Sequence, residues 1–457
     1  MDIIRSLEDR IISEFIRIQK EKNDADKAFV WNEFTNKLFE EVKQQYPYGF
    51  QTKEDLRQLR LRINSNPIDS VNQIDSVICN VGLWEFYFKV EFVGNFQKVN
   101  FCGVLDSDSE PQITFYASVD FRNTKISGEA RFEKVRFLDK VKFLSVDFGG
   151  WVFFDRSYFN KFTEFLLVKF YSQKVDFSDV TFAGGARFLA TIFPKEILFD
   201  RAKFLKDVDF RNIIFSQQDT QLKLDGVLFG GDKINFLSNP KSEEVFVVGP
   251  ANRDIETFKN YRLKEVSLKN TIFQSSTVGE FDLKFDACPD FSESHFLTKS
   301  FRIKETWQID EEKIDKNDEP KFRFFKKYFA EQGNHFKEFE YFGYEMMARE
   351  KKLSIKDGAD WFLFKCYKWF SGFGMEVKLP LFWLYISFFC FLWIFLFPLE
   401  CDLKSSFSDS FAKTIMPLMK LDIGCVDSNA ILTLQSLINV TLIFLLGLGI
   451  RNKFKIK

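Results

Sequence analysis

Residues 130–159, ARFEKVRFLDKVKFLSVDFGGWVFFDRSYF, bring a phenylalanine back after every fifth or sixth residue. The spacing continues to residue 215, with one step of seven between Phe170 and Phe177. A small or β-branched residue stands two positions before each phenylalanine of this register, as Ala130 does before Phe132. The register comprises Phe132, Phe137, Phe143, Phe148, Phe154, Phe159, Phe165, Phe170, Phe177, Phe182, Phe188, Phe193, Phe199, Phe204, Phe210 and Phe215.

This spacing excludes a simple helix and a simple strand. A helix has a period near 3.6, so a phenylalanine at every fifth or sixth position would spread over all its faces. A strand alternates with period two and does not bring the same residue type back after five. A chain that turns a corner after each repeat satisfies the pattern, because each side then directs one small and one large residue inward. We therefore expect a solenoid whose core is filled with phenylalanine.

The tract resembles the pentapeptide-repeat family, which has a central Leu or Phe and a small residue two positions earlier. That resemblance implies a right-handed quadrilateral β-helix, here over residues 76–305. The six-residue steps imply that alternate corners carry an extra residue, giving about 22 residues per coil. Residues 217–253 interrupt the spacing and suggest a loop or a distorted coil.

Residues 1–75 are predicted to be helical and to form an N-terminal cap on the solenoid. Apolar residues recur at three- and four-residue steps from Ile3 to Ile18, and a second helix is expected over 27–44. A third helical piece is expected over 54–63. Solenoids need their open ends covered, which favours a cap. The alternative is a helix pair that binds a protein partner.

The charged residues 310–320 predict a domain boundary, and residues 320–353 predict a helical hairpin. Phenylalanines recur on one face of each helix, and Gly333-Asn334 supplies the turn. The segment resembles the helix-turn-helix that follows the repeats in membrane-bound pentapeptide-repeat proteins, through Gln332-Gly333-Asn334 and through Glu345-Met346.

Residues 360–457 are expected to form a membrane domain with spans at 379–399 and 428–450. Both stretches lack charge and are long enough to cross a hydrocarbon core of about 30 Å. Basic residues flank the pair, with Lys365, Lys368 and Lys378 before it and Arg451 onward after it. This arrangement predicts a multi-pass protein of the cell inner membrane with both termini cytoplasmic. The aromatic segment 361–370 is suited to the membrane interface.

The layout of span, loop, span and basic tail also resembles the two-helix pore module of ion channels. The potassium filter sequence Thr-Val-Gly-Tyr-Gly is absent, and residues 420–424 read KLDIG at that place. Gln435 and Asn439 lie one helical turn apart in the second span and are candidate pore-lining residues. Hydrogen bonding between helices is an equally good interpretation. Cys401 and Cys425 bracket the loop and are a possible disulfide, or else two free thiols.

Composition excludes several functional classes. The net charge is -1, and residues 115–215 carry 17 basic and 13 acidic side chains, which fits neither an acidic DNA mimic nor a nucleic-acid binder. With two histidines and no CxxC pair, no metal site is expected. Nucleotide-binding and hydrolase motifs are absent, so we expect neither an enzyme nor a cofactor. The N-terminus does not read as a secretory signal.

Two functions remain, and the membrane layout favours the first. In the first, the protein is a homo-oligomeric ion channel or pore in the lipid bilayer, whose soluble solenoid senses or gates. In the second, the spans anchor a cytoplasmic scaffold whose β-helix binds a protein partner. A two-span subunit cannot enclose a pore alone, so the oligomeric state distinguishes the two.

Overall fold

The structure is a computed structural model that describes residues 2–20, 24–46, 50–65, 76–79, 83–102, 113–215, 217, 219–231, 233–237, 244–248, 255–259, 265–273, 278–282, 287–296, 301–303, 305, 307–374, 376–396 and 429–454. The chain divides into two compact units, Met1–Ile309 and Asp310–Lys457.

The first unit is a β-solenoid of stacked parallel strands, as the repeat predicts. Among the described residues its strands form three parallel sheets of fourteen, eight and nine strands. The fourteen-stranded sheet contains Arg60–Asn64, Lys89–Phe96, Val119–Ile126, Val141–Leu144, Asp147–Phe148, Thr163–Leu166, Lys169–Phe170, Ala186–Leu189, Ile192–Phe193, Val208–Asp209, Ile214–Phe215, Lys233–Leu237, Val278–Asp282 and Phe301–Ile303. The eight-stranded sheet contains Ser76–Ile78, Lys98–Asn100, Ala130–Arg131, Val152–Phe153, Lys174–Asp176, Glu196–Leu198, Gln221–Lys223 and Glu265–Ser267. The nine-stranded sheet contains Trp84–Phe86, Ile113–Phe115, Val135–Phe137, Tyr158–Phe159, Thr181–Phe182, Lys203–Phe204, Leu228–Phe229, Ile272–Phe273 and His295–Phe296.

The register between turns follows the phenylalanine spacing. Val141 pairs with Thr163, 22 residues later, and Thr163 pairs with Ala186, 23 residues later, because that turn contains the one seven-residue step. The rings therefore stack in columns along the solenoid. Phe143 stacks on Phe165 with ring centroids 4.7 Å apart, and Phe165 on Phe188 at 4.6 Å. The core of the solenoid is thus a set of phenylalanine columns.

Threonine occupies some of the small inward positions, where its hydroxyl donates a hydrogen bond to a buried backbone carbonyl. Thr191 Oγ1 donates to the Phe165 carbonyl at 3.1 Å, and Thr271 Oγ1 donates to the Leu224 carbonyl at 2.8 Å. Both threonines are fully buried. A buried carbonyl without a donor would cost about 1–3 kcal/mol, so these bonds stabilise the turns.

Alternate corners hold a residue in the left-handed backbone region. Each of these residues lies two positions after a phenylalanine, within a five-residue step, and φ is 51–57°. They are Lys134, Ser145, Arg156, Leu167, Asp179, Ala190, Arg201 and Asn212. The five-residue corner is tight and needs positive φ, whereas the six-residue corner has one more residue in which to turn.

Residues 217–253 differ from the loop or distorted coil expected there. Gln221–Lys223, Leu228–Phe229 and Lys233–Leu237 continue the three sheets in register. An antiparallel hairpin of Glu244–Val248 and Ile255–Lys259 then follows before the chain returns to the stack at residue 265. The spacing is lost because this hairpin is inserted between two turns.

Two helices, α1 (Asp2–Lys20) and α2 (Asp24–Gln45), cover the first turn of the solenoid. Phe15 packs edge-on against Trp31 with centroids 5.2 Å apart, and Trp31 lies 5.6 Å from Phe86 of the solenoid. The Trp31 indole donates to the Glu85 carbonyl at 3.0 Å. This contact fits the expected cap.

The third helical piece expected over 54–63 is not a continuous helix. A short 3₁₀ helix, Lys53–Gln58, ends at Leu59, and Arg60–Asn64 is a strand that pairs with Lys89–Phe96. Leu61 and Ile63 are buried and their neighbours Arg60 and Arg62 exposed, which is the alternation of a strand with one face on the core.

The second unit begins with 3₁₀ helices at Glu311–Lys313 and Lys316–Asp318, then the expected helix pair, α3 (Glu319–Glu331) and α4 (His335–Lys352). Gly333, with φ of 72°, makes the turn, and the Asn334 side chain caps α4. Buried Glu345 accepts from Arg323 at 2.9 Å and from Lys326 at 2.5 Å, which ties the helices together.

Three further helices complete the described part of this unit. A 3₁₀ turn at Ile355–Asp357 leads into α5 (Ala359–Ser371), then α6 (Lys378–Leu396) and α7 (Asn429–Phe454). Within the described residues, Thr433–Arg451 of α7 is long and apolar enough to cross a membrane, and Lys378–Trp393 of α6 is a shorter apolar helix.

Candidate functional site

The two apolar helices, α6 and α7, pack against each other and bury polar side chains from both. Asn439 is fully buried, and its Oδ1 accepts a hydrogen bond from Ser387 Oγ of α6 at 2.7 Å. The outward faces are apolar, with Phe389 and Phe444 exposed. The polar contact is therefore enclosed between the helices of one chain.

Gln435 lies one turn before Asn439 on α7 and is also fully buried. In the described part of the chain, neither its Nε2 nor its Oε1 has a hydrogen-bond partner. A buried amide without partners costs about 1–3 kcal/mol per unsatisfied group. The structure thus brings both candidate residues to one face of α7, as their spacing predicts, and Gln435 has no hydrogen-bond partner among the residues that the structure describes.

The other candidate residues lie elsewhere. Cys401 and Cys425, the possible disulfide, fall outside the described residues. Among the described residues, no group of three or more His, Cys, Asp or Glu side chains is arranged to hold a metal ion. His335 contacts Glu338 on its own helix, 2.9 Å between Nδ1 and Oε2.

A row of carboxyl groups on the solenoid was not expected from the sequence. In four turns, a carboxyl residue follows the buried side chain that comes directly after a strand of the eight-stranded sheet. These residues are Glu133, Asp155, Asp200 and Asp225, which lie in successive or alternate turns. Cys102 heads the row, and its thiol donates to Glu133 Oε2 at 2.6 Å. Burial raises the pKa of this thiol to about 12, with Glu133 adding to the effect, so the sulfur is protonated and inert.

Asp155 is the most perturbed carboxyl group in this row. Burial, together with the negative charges of Glu133 and Asp176, raises its pKa to about 6, while Arg156 opposes the shift. The Arg131 guanidinium donates hydrogen bonds to Glu129 at 2.7 Å and to Glu133 at 3.2 Å. Its positive charge compensates the negative charge of Glu133 in this row.

No known family model, curated protein or solved structure matches this chain. The fold and the polar contact between α6 and α7 are therefore the observations on which a function is argued.

Proposed function

We propose that the chain is an integral membrane protein in which the apolar helices anchor a cytoplasmic β-solenoid that binds a protein partner. The enclosed contact between Ser387 and Asn439 supports this proposal. A side chain that lines a pore between subunits is exposed on each subunit taken alone, whereas both Gln435 and Asn439 are fully buried within one chain. Polar side chains that bond across apolar helices stabilise their association.

The proposed protein also has a defined type of solenoid and a defined membrane topology. We propose that the solenoid is a right-handed quadrilateral β-helix of the pentapeptide-repeat kind, since the turns between residues 141 and 215 each pass through four short strands and 22 or 23 residues. We also propose that α6, extended by the residues after it, forms a second span beside α7. Both termini are then cytoplasmic, because basic residues flank the pair and the loop between the helices is acidic.

A second candidate function is a homo-oligomeric ion channel or pore. The observation that favours it is Gln435, whose buried amide has no partner among the described residues. Intramembrane polar groups often face water-filled paths. Neither candidate is an enzyme.

The change Gln435→Leu with Asn439→Leu tests these functions in the purified full-length protein. For the anchor, the wild type is a monomer or dimer by native mass spectrometry and does not conduct in planar bilayers. The double variant then stays a monomer or dimer, because the lost bond from Ser387 contributes about 0.6 kcal/mol on average, and removing the Gln435 amide, which has no partner among the described residues, offsets that loss. For the channel, the wild type is a conducting oligomer, and the double variant assembles without conducting. Conductance by the wild type would overturn the anchor.

A further inference from the structure

A groove of about 770 Å³ runs along α5 beside the start of α6. Its walls are mainly aromatic and apolar, from Phe362, Trp369 and Phe370 of α5 and Leu379 of α6. Phe362 and Trp369 are 60% and 63% exposed, so the described part of the chain leaves this wall open to its surroundings. A groove of this size is large enough to hold part of a chain-like ligand.

Charged groups stand at one side of the groove. Glu350 of α4 accepts hydrogen bonds from Lys365 at 2.5 Å and from Lys368 at 2.6 Å. Burial disfavours the charged carboxylate, but the two lysine hydrogen bonds outweigh it and hold the pKa of Glu350 below its usual value. Two cations share one anion, so the trio carries one net positive charge beside an apolar wall.

The apolar wall continues onto α6. Trp369 packs edge-on against Trp383 with ring centroids 4.8 Å apart, and the Trp383 indole donates to the Trp369 carbonyl at 3.0 Å. Beyond this junction Phe382, Tyr385 and Phe389 of α6 are also exposed. Tryptophan and tyrosine with nearby lysine are typical of the boundary between headgroups and hydrocarbon. The groove therefore opens onto the same surroundings as the apolar helices.

We propose that this groove binds an anionic phospholipid, with an acyl chain along the aromatic wall and the headgroup phosphate at Lys365 and Lys368. The open wall favours hydrocarbon, and the net positive charge favours an anionic headgroup over a zwitterionic one. Glu350 holds both lysines at the groove and competes with the phosphate for them. This inference rests on the proposed membrane location of α6 and α7.

The test uses the full-length protein in vesicles of phosphatidylcholine alone or mixed equally with phosphatidylglycerol. Native mass spectrometry then measures which lipid the extracted protein retains. We expect wild type to retain phosphatidylglycerol preferentially, and Lys365→Gln with Lys368→Gln to lower that preference roughly 25-fold, since each of the two basic groups near an anionic surface contributes about five-fold. Glu350→Gln frees both lysines and should raise the preference, a gain that misfolding cannot produce.

Lys356→Gln is the control, because Lys356 is exposed and lies outside the groove. It should leave the preference unchanged. Equal retention of the two lipids by wild type, or equal loss in the control and the double lysine variant, overturns the lipid site while leaving the membrane location intact. A dimer seated on this face with no lipid retained also overturns it. If wild type is extracted from both kinds of vesicle by alkaline carbonate, the membrane location fails and the lipid site with it.

Discussion

Phe154 illustrates how one residue is fixed by its neighbours in the solenoid. Its ring stacks on Phe132 and on Phe177, each with centroids 4.9 Å away, and meets Phe143 and Phe165 edge-on at 5.5 and 5.7 Å. Stacked and edge-on pairs each contribute about 0.5–1.5 kcal/mol beyond the area they bury. Phe154 therefore stabilises both the turn before it and the turn after it.

We expect Phe154→Ala or Phe188→Ala to lower the free energy of unfolding by about 3–5 kcal/mol, through the cavity that truncation leaves. Lys161→Ala is the control, since Lys161 is exposed on the same solenoid, and surface changes cost about 0.5 kcal/mol or less. Urea denaturation measures all three variants. Similar losses at core and surface sites would contradict the register described here.

Ala190 is one of the corner residues with positive φ, at 51°. A side chain in the left-handed region costs about 1–2 kcal/mol, which glycine avoids. We therefore expect Ala190→Gly to raise the free energy of unfolding by about 1 kcal/mol, less any entropy that the unfolded chain regains. Ala183→Gly is the matched control, because Ala183 has negative φ and should lose stability. A loss at both sites in thermal denaturation would argue against strain at the corners.

Asp155, in the carboxyl row beside the eight-stranded sheet, makes the stability of the solenoid depend on pH. Burial and the charges of Glu133 and Asp176 raise the pKa of Asp155 to about 6. A carboxyl whose folded pKa is raised holds its proton more tightly in the folded state, so the free energy of unfolding decreases as pH rises from about 4 to about 6. Above that range the folded state carries an unfavourable buried charge.

Asp155→Asn should therefore remove part of this decrease and leave stability at low pH unchanged. We expect a gain at pH 7 on the order of 1 kcal/mol, because solvent screens a partly exposed group. Asp179→Asn, in the next turn, removes a carboxylate that pairs with Arg201 on the surface and should leave the pH dependence in place. Denaturation midpoints of both proteins, measured between pH 4 and 8, test this expectation. If the midpoints of wild type and Asp155→Asn change with pH in parallel, Asp155 is not the cause of the pH dependence.

The stacked strands were predictable from the sequence, but the corners and the inserted hairpin were not. The phenylalanine spacing fixes which side chains face inward, because a turn of 22 residues brings Phe143 onto Phe165. The positive φ at Lys134 and Leu167 could not be predicted from the sequence. Lysine and leucine rarely adopt positive φ, and here the geometry of the turn imposes it. Among the described residues, the strands of the hairpin pair with each other and with no strand of the stack, so the repeat does not constrain them.

The polar contact was predictable only in part. A spacing of four places Gln435 and Asn439 on one face of a helix. Their burial, and the hydrogen bond from Ser387, depend on how α6 packs against α7, which no local pattern encodes. The same holds for Glu350, whose lysine partners follow it by 15 and 18 residues on the next helix.

The surfaces of the two compact units differ in polarity. The solenoid is covered by ion pairs such as Arg187 with Glu164 at 3.1 Å, which suits water. Helix α7 exposes Leu437, Ile443 and Phe444, which suits hydrocarbon. Burying an apolar side chain of this kind out of water is worth about 1.5–3 kcal/mol. The proposed anchor at a membrane boundary satisfies both kinds of surface.

The distribution of cysteines allows the orientation of the chain to be tested without new labelling sites. Cys288 and Cys366 belong to the cytoplasmic side of the proposed arrangement, and Cys401 and Cys425 to the loop on the opposite side. In sealed right-side-out vesicles we expect a membrane-impermeant maleimide to label Cys401 and Cys425. Cys288 and Cys366, which are half-buried, should react only after permeabilisation.

If Cys401 and Cys425 form a disulfide, which an oxidising compartment permits, their labelling should require prior treatment with an impermeant reductant. Mass spectrometry of the labelled peptides distinguishes each site, and buried Cys79 serves as an unreactive control. Labelling of Cys288, but not of Cys401 or Cys425, from outside intact vesicles would reverse the proposed orientation, because the solenoid would then lie outside and the acidic loop in the cytoplasm. Labelling of all four sites before permeabilisation would mean that α6 and α7 do not both cross the membrane. The basic residues after α7 make the cytoplasmic orientation the expected one, since lysine and arginine near a span are retained on that side.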